Sequence, residues 1–299
     1  MGCLLGARLS PHADVTLAGA WPDQLRALAE GPLRVIEPDG TERRVSVRAT
    51  GDLESVAPVD IALIVTKTPK TAAAARDAAR VLKANGLAIT LQNGAGNREI
   101  LAGIVGEARA AVGATTLGAT TGGQPGIVIA GGAGLTTLAE RCPGDPAVAA
   151  LADLFRRAGL DVAVVSDASS VIWGKLAINA AINPLTALLG VRNGALLDSV
   201  WARGVMSAAA REVGAVAAAQ GIALPFDDPA AEAENVARRT AANVSSMLSD
   251  VQRRVPTEID AICGAVVRAG EMHGISTPAN RMLHALVKAQ EDLYTTQGP

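Results

Sequence analysis

A chain of 299 residues is longer than one hydrophobic core usually serves, so two domains are expected. Apolar residues make up 49% of it but aromatic residues only 2%, so the core is built from Ala, Val, Leu and Ile and few rings remain for bases to stack on. A net charge of −2, without a dense run of Lys and Arg, excludes the footprint of a nucleic-acid binder and points to a small partner.

Cys3, Cys142 and Cys263 lie far apart with no C-x-x-C pair, which argues against a disulfide framework and a zinc site and fits the reduced thiols of a cytoplasmic protein. No uninterrupted apolar run reaches the ~18 residues of a membrane span. The apolar part of Met1–Arg8 is too short for a signal peptide, and Gly6 breaks the myristoylation pattern that Gly2 begins.

From its start the chain alternates short β-branched runs with Ala-rich stretches, the pattern of strand–helix–strand units and a parallel sheet. Gly2–Ser10 reads as a helix and Asp14–Leu17 as a strand. A dinucleotide-binding fold normally opens with a strand running into a G-x-G-x-x-G turn, whose last glycine lets the next helix pack closely. Gly2 stands where that last glycine would, so a first strand and two more glycines are expected in about ten residues upstream of Met1; an ordinary glycine at position 2 is the alternative.

Leu33–Ile36 and Val45–Val47 flank the turn Pro38-Asp39-Gly40 and read as a hairpin. Ile61–Val65 is a continuous apolar run, which predicts a strand covered on both faces, and a helix over Lys70–Leu82 follows it. The next strand, Leu87–Leu91, ends in Gln92-Asn93-Gly94-Ala95-Gly96. The stretch from Ala108 to Leu138 is rich in Gly and Thr with strand-like pieces, Leu151–Ala158 reads as helix, and Val162–Val165 closes the α/β half. Beyond Ser166 the pattern turns to long helices. The expected domains are therefore residues 1–166, binding a dinucleotide, and residues 167–299, helical and binding substrate.

Lys175, Asn179 and Asn183 stand at i, i+4 and i+8 among Ala, Ile and Leu, which lines one ammonium and two amides along a single helix face. Pro184 follows directly and predicts a kink, because its ring clashes with the preceding turn and its nitrogen carries no hydrogen. Further on, Asn243-Val244-Ser245-Ser246-Met247-Leu248 leads to Thr257-Glu258-Ile259-Asp260. Thr257 and Asp260 resemble a capping pair, which puts Glu258 in a first helical turn, where a carboxylate also simply favours the dipole. Lys67 and Asn93 follow the ends of two predicted strands, the side of an open α/β sheet on which ligands sit, although polar residues are common there in any case.

Val65-Thr66-Lys67, the run LQNGAGN from Leu91 to Asn97, KLAINAAINPLTAL from Lys175 to Leu188, and SSML followed by TEID together resemble the ketopantoate (2-dehydropantoate) 2-reductase family along nearly the whole chain. The resemblance implies an α/β fold with an N-terminal Rossmann-type doubly wound domain, its first strand missing from this chain, and a C-terminal all-helical domain. It implies NADPH-dependent reduction of 2-dehydropantoate to pantoate, a step toward pantothenate and coenzyme A. Lys175 matches the general acid; Asn93, Asn179, Asn183, Asn193 and Ser246 match substrate contacts; Gly2, Lys67, Asn93, Ala119 and Glu258 match cofactor positions. No metal is implied.

Two departures stand out. After the second strand the family usually offers an Arg to the 2′-phosphate, whereas this chain has Ala18-Gly19-Ala20-Trp21 with no acid either, so NADP rests on the resemblance and NAD stays open. Cys263 replaces a common Asn. The expected partner is a small 2-keto acid, with neither nucleic acid nor membrane, and a homodimer is left open. The competing expectations are a reductase of another 2-keto acid and a non-catalytic cofactor-sensing or interaction protein that lost its phosphate turn.

Overall fold

The computed structural model describes residues 1–296, which form two compact units. The first comprises Met1–Thr66, Lys70–Gln92 and Arg98–Ala168; the second runs from Ser169 onward and includes Lys67–Pro69 and Asn93–Asn97.

In the first unit α1 (Gly2–Leu9), β1 (Thr16–Ala18) and α2 (Pro22–Glu30) lead to the antiparallel pair β2 (Leu33–Ile36) and β3 (Glu42–Val45), then β4 (Arg48–Thr50). β5 (Val59–Ile64), α3 (Thr71–Val81), β6 (Leu82–Thr90), α4 (Asn97–Val105) and β7 (Ala110–Thr115) follow. β8 (Ala119–Thr121), β9 (Ile127–Ala130), β10 (Leu135–Ala139), α5 (Pro146–Arg157) and β11 (Asp161–Val165) complete the series. The main sheet has the order β11-β10-β7-β6-β5, with β5, β6 and β7 parallel and β10 antiparallel to β7. Strands β3-β2-β9-β8 form a second sheet, and β1 pairs with β4 in a third. This is the Rossmann-like α/β arrangement that the alternating pattern predicts.

Local signals explain individual elements. Asp145 caps α5 by accepting from the N–H groups of Ala147 and Val148, Pro146 supplies a preset φ in the first turn, and Val148, Leu151, Ala152 and Phe155 bury one face. The hairpin forms with its second strand earlier than Val45–Val47, because Arg34 and Val35 pair with Arg44 and Arg43.

β5 meets a hydrophobic cluster on each face, as its continuous apolar run predicts: Ile61 and Leu63 pack against the cluster of Leu87, Ile89 and Phe155, and Ala62 and Ile64 join that of Ala75, Ala78 and Leu101. It is less buried than the run suggests, because it pairs only with β6 at the edge of the main sheet, and of Ile61, Ala62, Leu63 and Ile64 only Ile64 is fully buried. One expectation fails: Gly2 is not the point of closest approach. A Cβ there would lie 3.6 Å from Val65 Cγ2, an ordinary contact, whereas at Gly6 it would lie 2.6 Å from Leu17 Cδ2.

The second unit contains α6 (Ser169–Leu189), α7 (Val200–Ala219), α8 (Pro229–Arg239), α9 (Ser246–Gln252), α10 (Cys263–His273) and α11 (Pro278–Thr296). Its core is a close packing of small side chains: Leu176, Ala177, Ala180 and Ala181 of α6 against Met206, Ala209, Ala210 and Val213 of α7 and Val266 of α10. The length and mean hydropathy of α6 would suit a membrane span, although polar residues interrupt its apolar run, and most of it is buried in this core.

Candidate active site

Helix α6 carries Lys175, Asn179 and Asn183 on one face, as their spacing predicts, and continues unbroken through Pro184 to Leu189. Pro184 removes the N–H that would bond to Ala180 O. Cys263 occupies that place: its buried thiol points at Ala180 O from 4.0 Å, and burial pushes the thiol's pKa up, keeping it a protonated donor. Thr186 ties the following turn, donating to Ile182 O and Asn183 O and sharing a 2.7 Å hydrogen bond with Ser245 Oγ. Ser245 in turn caps α9 by accepting from Leu248 N, which leaves Ser246 exposed at the start of that helix.

The loop after β6 brings the stripe its partners. Gly94 has φ +86°, and a Cβ there would lie 2.3 Å from Ala261 O, so only glycine lets this loop pass so close to residue 261. Ala95 N donates to Ala261 O at 3.1 Å, and Asn97 Nδ2 holds Asn93 O at 2.9 Å. Fixed in this way, the Asn93 side chain accepts from Lys175 Nζ at 2.7 Å and donates through Nδ2 to Glu258 Oε2 at 2.9 Å. Its orientation is unambiguous, since only the oxygen can accept from an ammonium and only the nitrogen can donate to a carboxylate.

Glu258 is buried, with its other oxygen accepting from Thr68 N at 3.2 Å and Thr68 Oγ1 at 3.1 Å. It is not in a first helical turn. Residues 257–262 form irregular turns before α10 begins at Cys263, because Thr257 Oγ1 accepts from Ile259 N while Glu258 O accepts from Ala261 N and Ile262 N. The capping pair suggested by Thr257 and Asp260 is absent from these bonds, and the turn aims the carboxylate at Asn93. Burial lowers the pKa of Lys175 to about 8, and the nearby Glu258 charge opposes that fall. The ammonium therefore loses its proton far more readily than an ordinary lysine.

The structure thus joins Lys67, Asn93, Lys175 and Glu258 with partners that sequence reasoning missed. Lys67 Nζ bonds the buried Asp250 Oδ2 at 2.6 Å, one turn along α9 from Ser246. Thr68 shares Glu258, and Gln92 Nε2 binds Thr66 O and Thr71 Oγ1, both at 2.9 Å, within the α/β unit. Gln92 lies within LQNGAGN, Thr68 directly follows Val65-Thr66-Lys67, and Asp250 follows Ser246 at i+4, so position carried a signal for each. Asn193 sits apart on the 3-10 turn Asn193–Asp198, donating to Thr240 Oγ1 at 2.9 Å while its buried Oδ1 lacks a partner among the described residues. Ala119 opens β8 opposite Ala130, partly buried, and Gly2 opens α1 beside Val65, which directly follows β5.

A sequence profile described as "Ketopantoate reductase PanE/ApbA" matches residues 1–141, and its "C terminal" counterpart matches residues 167–291. A 2-dehydropantoate 2-reductase of Halobacterium salinarum is 36% identical over 295 residues, covering 98% of this chain and 96% of that protein. The chain belongs to the ketopantoate reductase family. Among solved ketopantoate reductase structures, one from Ralstonia eutropha JMP134 superposes with a TM-score of 0.86 at 31% identity, over 97% of this chain and 95% of that one. D-Mandelate dehydrogenase bound to NADH and anilino(oxo)acetate superposes with a TM-score of 0.91 at 26% identity, over 98% and 96% of the two chains.

Proposed function

We propose that this ketopantoate reductase relative reduces 2-dehydropantoate to (R)-pantoate with NADPH, and that Lys175 is the general acid. The observation that carries the reading is Lys175 Nζ held at 2.7 Å by Asn93 Oδ1 with its pKa lowered to about 8. An ammonium so placed stays protonated near neutrality yet gives up its proton readily.

The bound cofactor would supply hydride to the ketone carbon. Charge then develops on the ketone oxygen, where an N–H of Lys175 stabilises it and delivers the proton. Asn93 takes one N–H of the ammonium and sets the direction of the others. Asn179 and Asn183, one and two turns along α6, offer neutral donors and acceptors to the substrate's hydroxyl and carbonyl oxygens. Ser246, exposed at the start of α9, offers a hydroxyl to the carboxylate. Glu258 keeps Asn93 aligned, and its charge limits the fall of the Lys175 pKa.

The residues suit a dinucleotide. The N-terminus of α1 at Gly2 lies beside Val65 at the carboxyl end of β5, where a helix dipole favours phosphate. Ala119 of the same unit, and Lys67, Asn93 and Glu258 of the helical unit, are the other positions that match the family's cofactor contacts. We place the reaction in the cytoplasm, in keeping with free thiols at Cys3, Cys142 and Cys263.

The test is oxidation of the reduced nicotinamide with 2-dehydropantoate, benzoylformate and anilino(oxo)acetate as alternative acceptors. A kcat/KM highest for 2-dehydropantoate is expected. A preference for an aryl keto acid would move the substrate toward that of the mandelate dehydrogenase, and turnover of none would leave a binding protein.

A further inference from the structure

Glu258 sits on an irregular turn that has no regular helix to hold it, yet its carboxylate meets three donors. Besides its own backbone bonds and the hold of Ala95 N on Ala261 O, the turn is tied from outside by α11. His284, Lys288 and Glu291 are spaced i, i+4 and i+7 and share one face of that helix. Glu291 Oε1 accepts from Thr257 N at 2.7 Å, the backbone amide directly before Glu258. Lys288 Nζ donates to Glu291 Oε2 at 2.9 Å and to Asp260 Oδ2 at 3.2 Å, while Asp260 Oδ1 meets His284 Nε2 at 2.6 Å.

These two holds differ in weight. The Asp260 side chain is 56% exposed, so its bonds to His284 and Lys288 are screened and contribute little. Glu291 is only 13% exposed and its acceptor serves the N–H of a buried residue, so losing it leaves a backbone donor without a partner. A surface ion-pair cluster alone would not need that directed bond.

We propose that Glu291 is a positioning residue for Glu258: its bond to Thr257 N fixes the turn that aims Glu258 at Asn93 and Lys175, with the Asp260 bonds as a lesser second hold. The functional consequence rests on the reading of Lys175 as the acid, but the geometric claim does not.

The charged group facing Lys175 is Glu258, and those facing the clasp are Asp260, Arg268, His284 and Lys288; Arg268 donates to Asp260 O at 3.0 Å. If the turn loosens, the Glu258 charge withdraws and the Lys175 pKa drops below its value in the intact protein. That pKa is read directly by NMR of protein carrying 13Cε-lysine, the Lys175 signal being assigned by its loss in Lys175→Arg. Glu291→Ala should lower it by about 0.5–1 unit, Glu291→Gln, which keeps an acceptor, should stay near the parent value, and Glu258→Gln with Glu291→Ala should fall no further than Glu258→Gln alone. Should Glu291→Ala fail to fold, Lys288→Met releases Glu291 and should give a smaller shift in the same direction. A folded Glu291→Ala or Lys288→Met protein with an unshifted Lys175, or additive shifts in the double variant, overturns the proposal. A shifted pKa in a protein that reduces no keto acid would sink the acid assignment and leave the clasp standing.

Discussion

Lys175 and Asn93 are joined by a 2.7 Å hydrogen bond between residues 82 positions apart, made possible because the loop after β6 packs with the helices rather than the sheet. The bond spends the Asn93 oxygen on the ammonium and leaves its nitrogen for Glu258, so one amide aligns both charges.

That arrangement separates two variants. Lys175→Ala removes the proton donor and should lower kcat by about 10²–10⁴-fold. Asn93→Ala leaves the donor but frees its direction; losing one charged hydrogen bond is worth about 1.5–3 kcal/mol, so kcat/KM should fall by about 10–150-fold. Steady-state rates on both proteins decide it, and equal losses would mean that Asn93 does more than aim the ammonium.

The pH dependence follows from the Lys175 pKa of about 8. Reduction needs the ammonium, so kcat/KM should be level below that value and fall about tenfold per pH unit above it. Oxidation of pantoate needs the neutral amine and should show the opposite limb. Glu258→Gln removes the charge that opposes the fall in pKa, so the limb should move to lower pH. Stability runs opposite to the reduction rate: the unfolded lysine, near 10.4, binds more protons than the folded one between about 8 and about 10.4, so stability should rise with pH across that window. A limb that stays fixed in Glu258→Gln would assign it to another group.

The three thiols should separate by reactivity. Cys142 is exposed, Cys3 is half-buried with burial raising its pKa, and Cys263 is fully buried with a raised pKa and its thiol toward Ala180 O. A chromogenic disulfide should react at once with Cys142, slowly with Cys3, and with Cys263 only on unfolding. Rapid native labelling of Cys263 would show that α10 and α6 open at Pro184.

Periodicity made the helical stripe legible, because Lys175, Asn179 and Asn183 stand out in an apolar run whatever packs around them. The alternation of strands and helices was legible for the same local reason. The edge position of β5, which leaves it only partly buried, was not, since it depends on which strands lie beside it, a property of distant residues. The turn holding Glu258 escaped as well: Thr257 and Asp260 read locally as caps, but Glu291 and the loop at Gly94, far along the chain, take over the hydrogen bonds that a cap would make. Cys263 looked like an unexplained departure until Pro184, on another helix, exposed the carbonyl it faces.

Cofactor choice turns on the segment after β1. Gly19 N bonds Thr50 O, Ala20 is exposed, Trp21 is half-exposed, and α2 starts at Pro22. The nearest following arginine, Arg26, is largely exposed and already 3.4 Å from Asp23. A 2′-phosphate carries up to two charges, and without a planar guanidinium its recognition falls to backbone N–H groups, a redirected Arg26 and stacking of the adenine on Trp21. Discrimination should be small. The ratio of kcat/KM for NADPH over NADH is expected on the order of ten, or about 1.4 kcal/mol. Because Ala20 faces solvent, Ala20→Arg should fit without repacking and raise that ratio while leaving the NADH rate nearly unchanged. Measuring both cofactors on both proteins decides it: a parent ratio above about a thousandfold, about 4 kcal/mol, would require a phosphate donor outside this segment.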